Sequence, residues 1–230
     1  YLEGKPLETV DAGAEVQIVL DPNPFYGESG GQVGDTGSLE TKGFQNKVLQ
    51  TLKEGQLNLL TVEVTNSLQV GEQVIALVDE ERRKHIARHH SATHLLHKAL
   101  RLVLGDHIHQ AGSWVGPERL RFDFSHFSAL EQEQIEQVEK LVNQWIMNDD
   151  SVNIEELKID EARAKGATAL FGEKYGDIVR VIEMGDSMEL CGGTHVKRTG
   201  EIGPFRILSE AGIGSGLRRI EALSGWKAIE

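Results

Sequence analysis

Residues 79–105 have the sequence DEERRKHIARHHSATHLLHKALRLVLG and carry the period of an α-helix. Apolar residues and histidines recur every three or four positions between Ile86 and Leu100, which is the spacing of one helix face. Asp79 suits the N-terminal cap, because its carboxylate accepts hydrogen bonds from unpaired backbone N–H groups. Gly105 suits the C-terminal end. We therefore predict one helix between Asp79 and Gly105.

The residues before this helix favour strands. The candidates, separated by Gly, Asn or Asp turns, are Val16–Leu20, Gly37–Leu39, Asn46–Leu52, Leu57–Val64 and Gln73–Val78. Several short strands at such spacing are typical of a small barrel. We predict that residues 1–80 form a small β-barrel-like subdomain.

The residues after the helix mix helices and strands. A second helix is predicted from Ser128, with Glu131 completing a capping box, to Asn148, and a short third helix over Asp160–Leu170. Strands are predicted over Ser151–Lys158, Asp177–Met184, Met188–Leu190, Ile202–Ser209 and Leu217–Leu223. The predicted fold class is α+β, in which residues 81–230 form a core with an antiparallel sheet and helices that carry a metal site.

Composition limits the class of protein. With 230 residues, 39% of them hydrophobic, the chain can bury a core in one or two domains. It contains no apolar run of about 18 residues, so we predict no membrane span, and no signal peptide opens it. A single cysteine suits a reducing compartment, so a cytoplasmic location is expected. The first residue is Tyr1, which suggests a piece of a larger protein.

Charge argues against a general nucleic-acid binder. The net charge is −12, whereas neutralising phosphates requires Lys and Arg. Basic residues nevertheless cluster before His90, after Cys191 and near the C-terminal end of the chain. The two interpretations are a basic rim on an acidic protein and ordinary solvated surface.

Two pairs of residues have the spacing of metal ligands. His90 and His94 lie four positions apart on one helix face, and Cys191-Gly192-Gly193-Thr194-His195 contains a second pair. Together they offer the four ligands of a tetrahedral zinc site. His85 and His89 have the same spacing as His90 and His94, so periodicity alone does not choose between them. Neither pair encloses a glutamate in the HExxH pattern of metalloproteases.

The chemistry of such a site has two interpretations at this stage. Four protein ligands suit a closed structural zinc that joins a helix to a sheet, whereas catalysis requires an open position or a ligand that yields. The glycine-rich stretch Asp21–Gly37 is a turn-rich connection or a loop that approaches another site closely. It lacks the lysine of a Walker loop and no helix follows it, which excludes a nucleotide P-loop.

These motifs resemble the editing domain of alanyl-tRNA synthetase, a class II aminoacyl-tRNA synthetase. The resemblance rests on residues 89–97 (HHSATHLLH), 190–196 (LCGGTHV), 26–36, 121–126 (RFDFSH), 169–177 (ALFGEKYGD) and 216–222 (GLRRIEA), and it covers nearly the whole chain. Related modules occur in free-standing alanyl-tRNA deacylases and, more distantly, in threonyl-tRNA synthetase.

The resemblance implies one Zn²⁺ ion held by His90, His94, Cys191 and His195. It also implies hydrolysis of the ester in tRNA(Ala) mischarged with serine or glycine, with Thr93 and Gln110 in the editing pocket. The loop around Gly30 and Gly31 is similar to one that packs beside the zinc in relatives. ATP and Mg²⁺ are expected only in the activation domain of the parent ligase, whose remaining domains are the expected partners.

The contacts to tRNA are expected to be made mainly to its phosphates, with the 3′ end entering the pocket. The candidate residues are Arg88, Lys197, Arg198, Arg218 and Arg219. For the reaction we favour water attack on the ester carbonyl, with Cys191 as a covalent nucleophile in second place. Other functional hypotheses are a structural zinc module for tRNA docking, a free-standing deacylase, and a metal hydrolase acting on a small ester or amide.

Overall fold

The computed structural model describes residues 5–167 and 176–230. Within them the chain divides into two compact units. Unit 1 comprises the residues up to Ser29 together with Val33–Arg83, and unit 2 comprises Gly30–Gln32 together with Lys84–Glu230. The assignment of residues 1–80 and 81–230 to separate functional domains stays a prediction.

Unit 1 is built from short antiparallel strands. They are β1 (Thr9–Val10), β2 (Glu15–Val19), β3 (Gly37–Thr41), β4 (Phe44–Glu54), β5 (Leu57–Glu63), β6 (Leu68–Gln69) and β7 (Ile75–Val78). Five of them form one sheet in the order β2-β5-β4-β3-β7, and β1 pairs with β6. Phe25, Leu39 and Leu60 are among the buried residues of its core.

The predicted barrel is wrong for the residues that the structure describes. Closure of a barrel requires its first and last strands to pair. Within the described part of the chain, β2 pairs only with β5, and β7 pairs only with β3. The sheet is therefore open, with two edges, although its five strands lie close to the predicted positions.

The helix predicted between Asp79 and Gly105 is confirmed as α1 (Glu80–Leu104). Asp79 caps it, since its Oδ1 accepts a hydrogen bond of 3.0 Å from the backbone N–H of Arg82. Gly105 follows the last turn with φ +115°, a conformation that glycine adopts readily. Local sequence signals therefore determine both ends of α1.

Unit 2 combines helices with antiparallel sheets, which confirms the α+β fold class. Its further elements are β8 (Gln110–Val115), β9 (Leu120–Ser125), α2 (Gln132–Asn148), β10 (Val152–Lys158), α3 (Ile159–Ala164), β11 (Ile178–Met184), β12 (Ser187–Leu190), β13 (Phe205–Gly214) and β14 (Leu217–Ser224). One sheet has the order β13-β14-β9-β8 and the other has the order β10-β11-β12.

Two predicted helix bounds differ from the observed ones. The N-terminal cap of α2 is Glu131, not Ser128, because Gln134 Oε1 accepts a 2.9 Å hydrogen bond from the Glu131 N–H. The third helix is shorter than predicted, and residues 168–170 of that prediction lie outside the described residues. Most of the motif at 169–177 also lies outside them.

The main core of unit 2 joins α1 and α2 to the four-stranded sheet. Leu96 and Leu100 of α1, Phe122 of β9, Val142 of α2 and Ile220 of β14 belong to one buried cluster, and all are 0% exposed. This packing fixes α1 relative to the sheet, and thus the positions of its histidines. No helix in the described part of the chain is long and apolar enough to cross a membrane.

Candidate metal centre

Four metal-binding side chains meet inside unit 2. His90 and His94 come from α1, and Cys191 and His195 come from the loop that follows β12. Their ligand atoms all lie within 4.8 Å of one another. We call these four residues the tetrad. Of the two histidine pairs with the same spacing, the structure places His90 and His94 in it.

The Nδ1 atom of each histidine in the tetrad has its own partner. His90 Nδ1 lies 2.6 Å from Gln32 Oε1, and His195 Nδ1 lies 3.1 Å from Ser91 Oγ. His94 Nδ1 is hydrogen-bonded to the carboxylate of Glu189. Partners of this kind orient a ligating imidazole and set its tautomer.

The opposite nitrogens of these rings are left for a ligand. His94 Nε2 and His195 Nε2 are buried and have no hydrogen-bond partner among the described residues. His90 Nε2 lies 3.3 Å from Cys191 Sγ. Buried polar atoms without partners are rare in proteins unless they serve a function. Three imidazole nitrogens and one sulfur that converge in this way fit Zn²⁺.

Electrostatics inside the site favour the metal-binding form of the thiol. Burial raises the pKa of Cys191, but the charge of His90, together with the adjacent imidazoles of His195 and His94, holds this pKa well below its usual value. Burial, followed by the charge of His90, lowers the pKa of His195 to about 3. A thiolate and a neutral imidazole are the forms that bind metals.

Glu189 and His94 form a buried charged pair in the absence of metal. Burial lowers the pKa of His94, but the negative charge of Glu189 more than reverses this effect and raises the pKa to about 10. Burial raises the pKa of Glu189, but His94 and His97 lower it to about 2. Glu189 is therefore an anion beside the tetrad.

The loop that follows β12 and carries Cys191 and His195 is called the cysteine loop. Its position depends on a close contact at Gly193 and on hydrogen bonds from Arg180. A Cβ atom on Gly193 would lie 2.0 Å from His90 Cε1, so only glycine leaves room for the imidazole. Arg180 of β11 donates hydrogen bonds to the carbonyl oxygens of Cys191 and Gly193. The loop is thus tied to β11 and packs closely against the helix that supplies the other two ligands.

The glycine-rich loop contributes to unit 2 through residues 30–32. Gly31 accepts a 2.8 Å hydrogen bond from the Val115 N–H, and a Cβ on Gly31 would lie 2.5 Å from the Ser113 carbonyl oxygen. Both Gly30 and Gly31 have positive φ. The next residue, Gln32, contacts the tetrad directly.

Thr93 and Gln110 occupy different elements of unit 2. Thr93 is buried on α1, and its hydroxyl donates a 2.8 Å hydrogen bond to the His89 carbonyl oxygen. Gln110 is half-buried at the start of β8, opposite Phe124. Their role in a substrate pocket stays a prediction.

The predicted tRNA-binding arginines are engaged with other groups. Arg218 donates to Glu210 and Arg219 donates to Asp123, with Nη2–oxygen distances of 2.8 Å in both pairs. Arg88 donates to the Glu201 carbonyl oxygen. Arg198 is exposed and ion-paired with Asp149, and Lys197 is also exposed.

Sequence patterns did not reveal the residues around the tetrad. Gln32 lies 58 positions from His90, and Glu189 lies 95 positions from His94. Glu189 stands two positions before Cys191, which was the one local signal available. Ser91 lies inside the histidine motif, but its contact with His195 depends on the tertiary fold.

Comparison with known proteins identifies similar chains. Residues 179–221 match the family model for the threonyl and alanyl tRNA synthetase second additional domain, and residues 2–82 match tRNA synthetases class II (A). The chain is 54% identical to an alanine–tRNA ligase of Hydrogenovibrio crunogenus, in an alignment that covers the whole of this chain and 27% of that protein. It is 52% identical to that of Acetivibrio thermocellus over 99% of the chain and 26% of that protein. It thus spans about a quarter of the length of these relatives.

We predict that Gly193→Ala weakens Zn²⁺ binding, because the added methyl group displaces the His90 imidazole. The expected loss of affinity is at least about tenfold, measured by competition with a chromophoric chelator. Gly192→Ala is the matched control, since a Cβ there meets no atom within 4 Å and neither glycine has positive φ. Equal affinity in the two variants would contradict the close approach.

We also predict a pH effect from His89, whose Nδ1 donates to the Gly116 carbonyl oxygen. Burial lowers the pKa of His89 to about 4, from an ordinary value of 6.5. Between these values the unfolded chain holds more protons, so the free energy of unfolding falls as the pH falls. The contribution of His89 to this pH dependence of the free energy of unfolding reaches about 1.4 kcal/mol per pH unit.

Urea unfolding of the metal-free chain at several pH values tests this effect. His89→Gln is expected to flatten the dependence between pH 6.5 and pH 4, the two pKa values. The exposed His109→Gln is the control and is expected to keep the wild-type slope. A wild-type slope in His89→Gln would show that burial does not shift the pKa of His89.

Proposed function

We propose that this chain, which belongs to the alanyl-tRNA synthetase family, is the editing domain of such an enzyme. It would hydrolyse the ester that joins serine or glycine to tRNA(Ala). The observation that carries the proposal is the tetrad, a set of three imidazoles and one thiol, three of them buried and His195 half-buried, within the segment shared with alanine–tRNA ligases.

The need for such an activity follows from the size of alanine. A pocket for alanine cannot strongly exclude glycine, which is smaller, or serine, which adds only a hydroxyl group. Differences of this kind give a discrimination of roughly 10–200-fold. A second site that hydrolyses wrong products supplies the remaining accuracy.

The tetrad would hold a single zinc ion. When bound, Zn²⁺ supplies Lewis acidity that polarises an ester oxygen or acidifies water. The chain's own residues orient the reaction. Gln32, Glu189 and Ser91 hold the three imidazoles by Nδ1, and Arg180 holds the cysteine loop. A substrate ester beside the tetrad would thus meet fixed groups.

Recognition of serine would depend on Thr93 and Gln110. Because the Thr93 hydroxyl donates its proton to the His89 carbonyl oxygen, its lone pairs remain to accept a hydrogen bond from a serine hydroxyl. The Gln110 amide offers both a donor and an acceptor. The alanine side chain offers no hydroxyl to these groups, so this contact would favour the serine ester over the alanine ester.

The tRNA would bind by its 3′ end, with the other domains of the ligase as further partners. Lys197 and Arg198 are exposed beside the cysteine loop and would contact phosphates. Arg88, Arg218 and Arg219 would contribute less, because carbonyl and carboxylate oxygens already occupy them. ATP and Mg²⁺ would act only in the activation domain of the whole enzyme, in the cytoplasm.

A structural zinc module is the second candidate function. Four protein ligands fill a tetrahedron, and the ion would add a further link between the loop and the helix that supply them. Such a module would bind zinc and gain stability from it without hydrolysing an ester.

A deacylation assay distinguishes the two candidates. We expect the chain to hydrolyse Ser-tRNA(Ala) and Gly-tRNA(Ala) faster than Ala-tRNA(Ala), with activity lost in Cys191→Ala and on chelation. Circular dichroism of Cys191→Ala serves as the folding control. A folded, zinc-loaded wild-type chain without activity would favour the structural module. An acyl-enzyme detected by mass spectrometry would instead favour Cys191 as the nucleophile.

We predict that Thr93→Val reduces the preference for Ser-tRNA(Ala) over Ala-tRNA(Ala), by about tenfold in kcat/KM. Valine keeps the shape of threonine but offers no acceptor to the serine hydroxyl. Thr199→Val is the matched control, because Thr199 is also buried in unit 2 and donates to a backbone carbonyl oxygen, that of Trp145. An unchanged preference in Thr93→Val would exclude this role.

A further inference from the structure

Gln32 lies at the centre of a hydrogen-bond cluster beside the tetrad. Its side chain is 0% exposed. Its Oε1 lies 2.6 Å from His90 Nδ1, 2.9 Å from the Thr194 backbone nitrogen and 3.2 Å from Thr194 Oγ1. One amide oxygen therefore joins a helical ligand to the loop that supplies the other two ligands.

The orientation of the Gln32 amide follows from its neighbours. The Thr194 backbone N–H can only donate, so the atom that faces it is the amide oxygen. The same oxygen faces His90 Nδ1, which therefore carries the proton and donates. The lone pair of that imidazole is then on Nε2, the atom that lies 3.3 Å from Cys191 Sγ.

The backbone on both sides makes room for this amide. Gly31 anchors the segment through its carbonyl oxygen, which accepts from the Val115 N–H. A Cβ atom added to Gly193 would lie 2.8 Å from Gln32 Oε1. Absence of side chains at these two positions lets Gln32 reach His90.

The amide nitrogen of Gln32 differs from the amide oxygen in its hydrogen bonding. Gln32 Nε2 is buried, and within the described ranges it has no hydrogen-bond partner. Leaving a buried donor unpaired destabilises the folded state. The residue is thus placed for its acceptor atom, at some expense to stability.

We propose that Gln32 is a positioning residue, which fixes the tautomer and orientation of His90 for metal binding. This inference rests on the proposed zinc site. It assigns a role to the glycine-rich segment, because residues 30–32 place a hydrogen-bond acceptor beside His90 of the tetrad. The residue acts through His90 and needs no contact with the substrate.

Two substitutions separate the acceptor from the rest of the side chain. Gln32→Met keeps the length but removes the acceptor, and we expect Zn²⁺ affinity to fall by about 10–100-fold. Gln32→Glu keeps an acceptor and removes the unpaired donor, so its affinity is expected to stay within about threefold of wild type. Gln144→Met, at an exposed position of α2, is the control for the substitution itself.

The measurements are Zn²⁺ competition with a chelator and the absorption spectrum of the Co²⁺-loaded chain. A Gln32→Met spectrum with altered ligand-field bands, at an unchanged metal-free melting temperature, supports positioning. Wild-type affinity and spectrum in Gln32→Met would overturn it. Equal weakening in Gln32→Met and Gln32→Glu would also overturn it, because the acceptor would then not matter.

A spectroscopic measurement on the wild-type chain does not depend on folding of the variants. Long-range ¹⁵N–¹H correlation of the imidazoles is expected to show His90 protonated on Nδ1 in the Zn²⁺-loaded chain, and a proton on Nε2 would overturn the inference. A wild-type chain that binds no Zn²⁺ would overturn the proposed metal site as well. Binding by wild type with no change in Gln32→Met would overturn this inference alone.

Discussion

Burial of four metal-binding atoms within 4.8 Å of one another is the constraint on which the rest of the structure depends. Water does not reach His94 Nε2 or His195 Nε2, and the described protein atoms offer them no hydrogen bond. Such groups destabilise a fold unless a ligand satisfies them. Binding of a metal ion would therefore be coupled to folding of the cysteine loop, because the ion would supply the partner that these atoms lack.

The three imidazoles are held by three chemically different groups. Gln32 provides an amide oxygen, Glu189 a carboxylate and Ser91 a hydroxyl. The carboxylate adds a negative charge to that of the thiolate, so together they balance the charge of a divalent ion. The amide and hydroxyl orient their rings without adding charge. A centre of low net charge is compatible with its burial, since an unbalanced ion would be costly to desolvate.

The sequence contained enough information to predict α1 and the candidate pairs of metal ligands, because both depend on local signals. Asp79 and Gly105 mark the ends of the helix, and the spacing of four residues places His90 and His94 together. The choice of this pair over His85 and His89 required the family resemblance. Local signals also predicted most strands of unit 1.

The features that the sequence missed depend on contacts between distant residues. Closure of the sheet in unit 1 is decided by whether its edge strands pair, which no short pattern encodes. Strands β8 and β9 were not predicted, although apolar and polar residues alternate along β9, where the buried Asp123 pairs with Arg219. Gln32 and Glu189 contact ligands that lie 58 and 95 positions away.

The pairing of Arg218 with Glu210 and of Arg219 with Asp123 has a kinetic consequence under the proposed function. Arginines that are already ion-paired with carboxylates attract a polyanion only weakly, and the chain carries a net charge of −12. Long-range attraction would therefore contribute little to capture of a tRNA. An editing site of this charge would receive its substrate through tethering within the whole ligase, where linkage raises the effective concentration of the 3′ end. Proofreading would then be faster for tRNA already held by the enzyme than for free aminoacyl-tRNA, whose capture would be slow.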